Sequence, residues 1–550
     1  MRTPLLGAGL ALVAALAFPP MASGAPKPAA DGERHLTLFY TGGVHGTLEP
    51  CGCTSDPLGD VARYAALVRS ASRSGPTLLV DGGGLSFPES ASAKEKAANE
   101  LRARFLAKTL NGIGRFAAGL SDTDLGLPHH EVVPPRLAAN LAPAPAAVGE
   151  KLPVVNAAGL RLGLFGVADP ALAPRLGTTA EDPVSVAKAE VARLRAAGAE
   201  LVIALVPLDR PTARRVARAA APDVIVLGKQ VGAGQPRAEQ VGSTFLVAAA
   251  EEMARVGRID FVVRGPGPFV DAGGPDAAAM RKVEIDAALA RLDEELKRWS
   301  ASSAGVDPAF VAAKQRERAA LEEEKKGLDR PWTAPATGNY FTNRLIPLRR
   351  SLPRDEKTAA AMRKLDAQVA AINLRNAPPP APPEPGRAYY VGDAKCGACH
   401  KQALAFWKNT VHASAWNTLV QVGKENDYKC TSCHVTGYGE VGGTSLGHTT
   451  GLRDVQCEVC HGPGSIHVAE KGLEEPSSVH TAAPASTCTG CHTEQHSDTF
   501  QYQAYLRDIL GAGHGAAARA KLGNGPTGHE LRSAALARAK LAGAAEADKL

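Results

Sequence analysis

Four copies of one short pattern carry the most specific chemistry in this 550-residue sequence. Each copy places two cysteines three positions apart and a histidine directly after the second cysteine. Thiols at this spacing can form thioethers with the two vinyl groups of one haem, and the adjacent imidazole can then reach the iron. The pattern predicts eight haem-binding cysteines and four proximal iron ligands: Cys396, Cys399 and His400; Cys430, Cys433 and His434; Cys457, Cys460 and His461; Cys488, Cys491 and His492.

The alternative for clustered cysteines is a zinc site or a disulfide framework. Neither explains a histidine after every second cysteine, so we expect four covalently attached haem c groups. The sixth ligands cannot be methionines of this module, because all five methionines lie at or before position 362. Bis-histidine ligation lacks the potential-raising effect of methionine, so we expect low potentials for most of these haems. Six further histidines are available between 389 and 514: His412, His448, His467, His480, His496 and His514.

Residues around the first and third copies resemble a known family. The stretch Tyr390–Gly392, the first copy, and the residues Trp407, Thr410, His412 and Ala413 are similar to the tetrahaem cytochromes related to the cytochrome that accepts electrons in hydroxylamine oxidation; so is the segment 457–467. The resemblance covers about 389–495 and implies closely stacked haems that pass electrons.

The same resemblance implies that His412 and His467 are iron ligands, and that one haem has an open iron face in some relatives. His496 is our third candidate for a distal ligand. The remaining histidines of the module compete with it for the same places.

The elements that position these motifs belong to a multidomain protein. Apolar residues make up 45% and charged residues 21%, which excludes a disordered or collagen-like chain. Six segments are expected: a signal peptide at 1–25, an α/β domain at 33–265, a helical connecting region at 276–376, a Pro-rich linker at 377–388, a haem-cored and mostly irregular domain at 389–514, and an Ala-rich tail at 515–550.

Export is indicated by Arg2, the apolar run Leu5–Phe18 and the small residues that follow. This run is shorter than the roughly 20 residues that a membrane-spanning helix needs, although a retained anchor is the alternative. We expect a periplasmic or otherwise exported protein without a stable membrane span. Its formal net charge of +6 gives no case for nucleic-acid binding.

The amino-terminal segment resembles a second family. Residues 36–64, Leu79–Leu85, Gly119–Gly126 and Ala139–Leu141 are similar to the exported 5′-nucleotidase branch of the calcineurin-like metallophosphoesterases. The resemblance covers roughly 33–265 and implies an α/β sandwich. In that family two metal ions, held by Asp, His and Asn, activate water and bind a phosphate.

Most metal-ligand positions that this resemblance implies hold other residues. Only His45 and Asn140 remain, and one imidazole with one amide cannot hold two metal ions. We therefore expect no phosphoesterase activity and a structural role for His45. The replaced positions are Gly43, Gly84, Leu120, Ser121, Pro207, Lys229 and Val231.

Cys51 and Cys53 lie outside the four copies. They can form a small disulfide ring, remain free thiols or bind a metal, and an oxidising compartment permits the disulfide. A redox role near the haems is a further alternative.

The leading interpretation is an electron carrier that exchanges electrons with redox partner proteins. One rival is an oxidoreductase in which one open haem acts on a small nitrogen or sulfur compound. A second rival is an amino-terminal domain that binds a ligand or partner and is coupled to the cytochrome.

Overall fold

The structure is a computed structural model. It describes residues 32–547 except 91, 127–135, 146–147, 150, 158, 230, 302–307, 330–331 and 474–477. The predicted signal peptide at 1–25 lies outside the described residues.

Short apolar segments form the strands. In chain order the strands are β1 Arg34–Thr41, β2 Thr77–Asp81, β3 Arg115–Gly119, β4 Arg136–Leu137, β5 Leu141–Ala142, β6 Val155–Ala157, β7 Leu160–Gly166, β8 Thr179–Ala180, β9 Leu201–Val206, β10 Val224–Leu227, β11 Glu239–Val241, β12 Thr244–Val247, β13 Arg255–Val263, β14 Phe269–Asp271 and β15 Asn339–Pro347.

These strands form two large sheets and one small pair. The first sheet has the order β14-β15-β13-β1-β2-β3-β4, and the second has the order β11-β12-β10-β9-β7-β6. Strands β1 to β4 are parallel, while β13 is antiparallel to both β1 and β15. Strand β15 lies outside the predicted range 33–265, so the first sheet draws on residues from the predicted helical connecting region.

The two sheets pack face to face. Along β1 the side chains alternate between faces, as the twofold period of a strand requires. Leu36, Leu38 and Tyr40 join Ile203 and Leu205 of the second sheet in one buried core, while Phe39 faces the opposite side. The expected α/β sandwich is confirmed.

Helices cover both outer faces of the sandwich. In chain order, the long helices up to residue 376 are α1 Val61–Ser74, α2 Lys96–Ile113, α3 Pro183–Ala196, α4 Arg210–Ala220, α5 Pro275–Ala301, α6 Pro308–Gly327 and α7 Glu356–Asn376. Helices α1, α2 and α7 pack on the first sheet, and α3 and α4 on the second. Asp60, Asp182, Asp209 and Asp355 begin four of these helices because each carboxylate accepts amide hydrogen bonds of the first turn.

Helices α5 and α6 form an exposed hairpin between β14 and β15. Ion pairs such as Arg281–Glu324 join the two helices. Helix α5 ends at Ala301 and α6 begins at Pro308.

The carboxyl-terminal region contains only short helices before the tail. They are α8 Asp393–Gly397, α9 Lys401–Trp407, α10 Ala415–Val422, α11 Tyr428–Thr431, α12 Cys457–His461, α13 Ser465–Ala469, α14 Ala485–Thr489, α15 Tyr502–Ile509, α16 Ala516–Ala520 and α17 Gly528–Ala547. The apolar side chains buried in the described residues beyond 389 are Leu419, Val435, Leu446, Ala504, Leu522 and Ala535.

The Pro-rich segment runs along this region. The amide of Gly442 donates to the carbonyl of Ala381 at 2.8 Å, and the hydroxyl of Ser445 donates to the carbonyl of Pro378 at 2.8 Å. The segment is therefore held against the carboxyl-terminal region at two points.

Candidate functional site

The four Cys-x-x-Cys-His segments lie at short helices. Cys430 and Cys457 lie within α11 and α12, while Cys396 and Cys488 lie within α8 and α14. None of the eight cysteines forms a disulfide. Helix α12 contains both cysteines and the histidine of its segment, whereas in the other three segments the second cysteine and the histidine lie just beyond the end of the helix.

The segments associate in two pairs. The thiol of Cys396 lies beside that of Cys457, so the first and third segments are neighbours. The thiol of Cys433 lies beside that of Cys491, so the second and fourth segments are neighbours. Segments that are distant in sequence are thus adjacent in space, which sequence spacing alone does not reveal.

Three of the motif histidines have Nδ1 engaged. His434 Nδ1 lies 2.6 Å from the carbonyl of Ala415, and His461 Nδ1 lies 2.6 Å from the carbonyl of His480. His492 Nδ1 lies 2.9 Å from Ser497 Oγ. An acceptor at Nδ1 fixes the proton there and leaves Nε2 as the free ligand atom.

Two histidine pairs face each other across short gaps. The ring centroids of His400 and His467 are 6.3 Å apart, and those of His412 and His492 are 6.2 Å apart. Burial, with the charge of His492, lowers the pKa of His412 to about 4. His412 is therefore a neutral imidazole at physiological pH.

His514 lies near the third segment. Burial, together with the charge of His461, lowers the pKa of His514. The Nδ1 atom of His514 is buried without a hydrogen-bond partner. Among the described histidines, none makes a ring contact with His434.

The other candidate histidines have different surroundings. His448 and His496 are exposed, and their Nδ1 atoms lie near Ser445 Oγ and Thr493 Oγ1. The structure places no histidine ring against that of His496 among the described residues.

A buried carboxylate ties together the beginning and the middle of this region. Glu458 accepts hydrogen bonds from the amides of Val391, Gly392 and Gly464. Its position inside the third Cys-x-x-Cys-His segment fixes that segment against residues 389–392. Sequence analysis did not identify this role of Glu458.

The metal-ligand positions of the amino-terminal resemblance meet at the carboxyl ends of the parallel strands. There the backbones of the two sheets touch, because glycines follow the strands. A Cβ added to Gly82 would lie 2.3 Å from the carbonyl oxygen of Leu227, and one added to Gly83 would lie 2.6 Å from Pro207 Cβ. The described residues contain no group of three or more His, Cys, Asp or Glu arranged to hold a metal ion.

A buried ion pair occupies this edge. Asp124 accepts hydrogen bonds from the amides of Gly84, Leu85 and Ser86 and pairs with Arg136 at 3.1 Å. Neither side chain is more than 2% exposed. Sequence analysis missed this pair because no local pattern links its members.

The two surviving ligand candidates have different neighbours. The side-chain amide of Asn140 bonds the carbonyl of Ala168, and its oxygen accepts from the amide of Ala168. His45 adopts a left-handed backbone conformation with φ of 54°, and its Nε2 lies 4.0 Å from Glu89. Asn140 therefore already has structural partners for both ends of its amide.

Cys51 and Cys53 form a disulfide. Cys51 is exposed, and the loop that follows reaches the carboxyl-terminal region. The amide and hydroxyl of Ser55 both donate to the carboxylate of Asp498. Arg532 donates to the carbonyl of Thr54 at 3.0 Å.

Comparison with known proteins gives a local match. The family model described as "Cytochrome c554 and c-prime" matches residues 395–462. Cytochrome c-554 of Nitrosomonas europaea is 38% identical over 93 residues, which cover 14% of this chain and 40% of that protein. The chain thus spans about two fifths of the length of this curated relative.

The solved structures similar to the chain include a 5′-nucleotidase precursor and a calcineurin-like phosphoesterase. A 5′-nucleotidase precursor from Thermus thermophilus is 16% identical, with 71% of this chain and 68% of that chain covered and a TM-score of 0.42. The calcineurin-like phosphoesterase YfkN from Bacillus subtilis is 18% identical, with 42% and 86% covered and a TM-score of 0.34. No helix of the described residues is long and apolar enough to cross a membrane.

Proposed function

We propose that the carboxyl-terminal region, residues 389–514, is a tetrahaem cytochrome c that carries electrons in an exported protein. The observation that carries this proposal is the coincidence of four Cys-x-x-Cys-His segments with facing histidine pairs. Haem c would supply one-electron iron chemistry at each segment. The eight motif cysteines would hold the haems covalently, and His400, His434, His461 and His492 would be the proximal ligands.

The residues present fit this group. An imidazole nitrogen binds a metal at roughly 2 Å, so two rings that share one iron have centroids about 6 Å apart. The pairs His400–His467 and His412–His492 have this spacing. We assign His467 and His412 as their distal ligands.

The buried and unpartnered Nδ1 of His514 makes it our candidate for the distal ligand of the third segment. Its position favours it over His496, which is exposed. Ligation by His496 stays a prediction.

Distal-histidine variants of the holoprotein test these assignments. We expect His467→Ala and His514→Ala each to add one high-spin haem, seen by electron paramagnetic resonance, and one more equivalent of bound carbon monoxide after reduction. His448→Ala, at an exposed histidine, is the matched control and should change neither signal. Holoprotein with fewer than four haems by intact mass would contradict the proposal, as would unchanged spectra in the first two variants.

A second candidate function rests on His434. Because no described histidine makes a ring contact with His434, the second haem is the one most suited to an open iron face. The protein would then be an oxidoreductase acting on a small nitrogen or sulfur compound. Carbon monoxide binding by the reduced wild-type holoprotein would favour this candidate, and four low-spin haems without such binding would exclude it.

The amino-terminal domain would be a phosphoesterase fold that has lost its catalytic metals. Its packed glycine backbones and the bonded amide of Asn140 support this proposal. A phosphate-release assay with added manganese should show no turnover. Turnover that disappears in a His45→Ala variant would contradict it.

A further inference from the structure

We propose that the Cys51–Cys53 disulfide is a two-electron redox site that takes its electrons from the cytochrome region. The proposal rests on the function proposed above. It assigns to the amino-terminal domain a chemical role that needs none of the lost metal ligands.

The first observation is a short contact path from the disulfide to the fourth Cys-x-x-Cys-His segment. Ser55 lies two residues after Cys53. Its backbone amide and its side-chain hydroxyl both donate hydrogen bonds to the carboxylate of Asp498. Asp498 directly follows Ser497, whose hydroxyl lies 2.9 Å from His492 Nδ1. Two hydrogen-bond contacts, together with the covalent bonds of residues 53–55 and 497–498, thus connect the disulfide with a proximal histidine.

The second observation is that further hydrogen bonds and an ion pair hold the loop in this contact. Arg532 of α17 donates to the carbonyl of Thr54 at 3.0 Å and to Asp498 at 3.2 Å. Arg349 forms an ion pair with Asp56 on the amino-terminal side. The loop is therefore held between β15 and the carboxyl-terminal region rather than projecting freely into solvent.

The third observation is the combination of access and charge at the cysteines. Cys51 and Gly52 are exposed, so water can deliver protons and a disulfide substrate can approach. A Cβ added to Gly52 would lie 3.2 Å from an Arg350 guanidinium nitrogen. A cation at this place stabilises the negative charge that develops on sulfur when the bond breaks.

Reduction of the Cys51–Cys53 bond takes two electrons and two protons. Haem c held by the Cys-x-x-Cys-His segments would supply the electrons one at a time, a redox partner protein would replace them, and solvent would supply the protons. The products are the thiols of Cys51 and Cys53. The thiols can in turn reduce a second disulfide by thiol–disulfide exchange, so the substrate class is an exposed disulfide or a small disulfide compound.

Counting electrons tests the proposal. Anaerobic reductive titration of the holoprotein should consume two more electron equivalents per chain than titration of the Cys51→Ser/Cys53→Ser variant. Alkylation with iodoacetamide followed by mass spectrometry should label both cysteines only after the haems are reduced. Equal electron counts in the two proteins, or unlabelled cysteines beside ferrous haems, would overturn the proposal.

A second pair of variants tests the path. Asp498→Ala removes the bonds to Ser55, and we expect it to slow the appearance of labelled thiols without changing the total electron count. Glu494→Ala removes an exposed carboxylate from the same segment and should leave the rate unchanged. Equal rates in all three proteins would contradict the path through Asp498.

Haem content by absorption and intact mass is measured in every sample. Absence of haem would contradict the proposed cytochrome function itself. Full haem content with no extra electron equivalents would contradict only the disulfide inference.

Discussion

The hydroxyl of Ser497 contacts the histidine of the fourth Cys-x-x-Cys-His segment. Its Oγ lies 2.9 Å from His492 Nδ1, and the same hydroxyl donates to Tyr505 Oη at 3.4 Å. The hydroxyl therefore accepts the proton of the imidazole. An acceptor at Nδ1 makes a histidine a stronger electron donor through Nε2.

Replacing Ser497 by Ala should raise the midpoint potential of one haem. The lost hydrogen bond is worth about 1 kcal/mol, which is about 40 mV for a one-electron couple. Redox titration followed by absorbance measures the shift. Thr489→Ala, which removes an exposed hydroxyl on α14, is the control and should leave all potentials in place; an unshifted Ser497→Ala protein would contradict the role.

Asp81 gives the stability of the chain a pH dependence. Burial, opposed by the hydrogen bond from Thr41, raises the pKa of Asp81 to about 7. Between about pH 4 and 7 the folded protein therefore binds a proton that the unfolded chain has released. Stability from this group is complete below about pH 4 and is lost as the pH rises to 7.

Asp81→Asn should remove this pH-dependent loss of stability, because the amide has nearly the shape of the protonated carboxyl group and does not titrate. The difference in unfolding free energy between variant and wild type should grow by roughly 2–4 kcal/mol from pH 4 to 7. Urea unfolding of the holoprotein at several pH values measures it. Asp122→Asn, on an exposed turn, is the control; parallel pH profiles for wild type and Asp81→Asn would contradict the prediction.

At the scale of elements, the end of β3 and the start of β4 are joined by a buried charge pair. Arg136→Met leaves the Asp124 carboxylate buried without its guanidinium. We expect a loss of about 3–5 kcal/mol in unfolding free energy. Arg161→Met, which removes a half-exposed partner of Glu200, should cost about 0–1 kcal/mol. Similar costs measured by urea unfolding would show that Arg136 is not the stabilising partner.

Local patterns predict the elements with strong periodicity and fail where tertiary pairing decides. The apolar runs of β9 and β10 are each a few residues long and are separated by helix α4, so their positions are predictable. Strand β15 lies in a region predicted to be helical. The helical segments around it dominate the local pattern, and its pairing with β13 and β14 is set by tertiary structure. Sequence reasoning does not favour His514 over the other histidines, because it lies 22 residues beyond the fourth motif and no spacing rule connects them.

At the scale of the whole molecule, charges join the sandwich to the cytochrome region. Lys424 lies 2.7 Å from Asp366 of α7 and 3.0 Å from Glu49. Burial alone would lower the pKa of Lys424, but these carboxylates raise it above its ordinary value. Arg102 of α2 and Asp427 add a second ion pair at 2.8 Å.

Lys424→Ala should loosen this interface. Charged hydrogen bonds of this kind contribute about 1.5–3 kcal/mol, so backbone amides near Asp427 and the end of α7 should exchange roughly tenfold faster or more. Hydrogen exchange with mass spectrometry measures this in the holoprotein. Lys408→Ala, which removes an exposed lysine, is the control; unchanged exchange in Lys424→Ala would contradict the role of the ion pairs.

The strands that make up the first sheet also indicate where the first domain ends. Because β15 pairs with β13 and α7 covers the first sheet, we propose that this domain extends from about 33 to 376. The Pro-rich linker then begins directly after the last helix of the sandwich. The cytochrome boundaries 389–514 stay a prediction.

The late position of β15 in the chain determines when the first sheet can be completed during synthesis. When β13 leaves the site of synthesis or export, its partner β1 is already present, but β15 is still 75 residues behind it. The first sheet therefore waits for the α5–α6 hairpin to emerge before it can close. The Cys-x-x-Cys-His segments emerge later still, so the sandwich has all its strands before any of these segments can receive its cofactor.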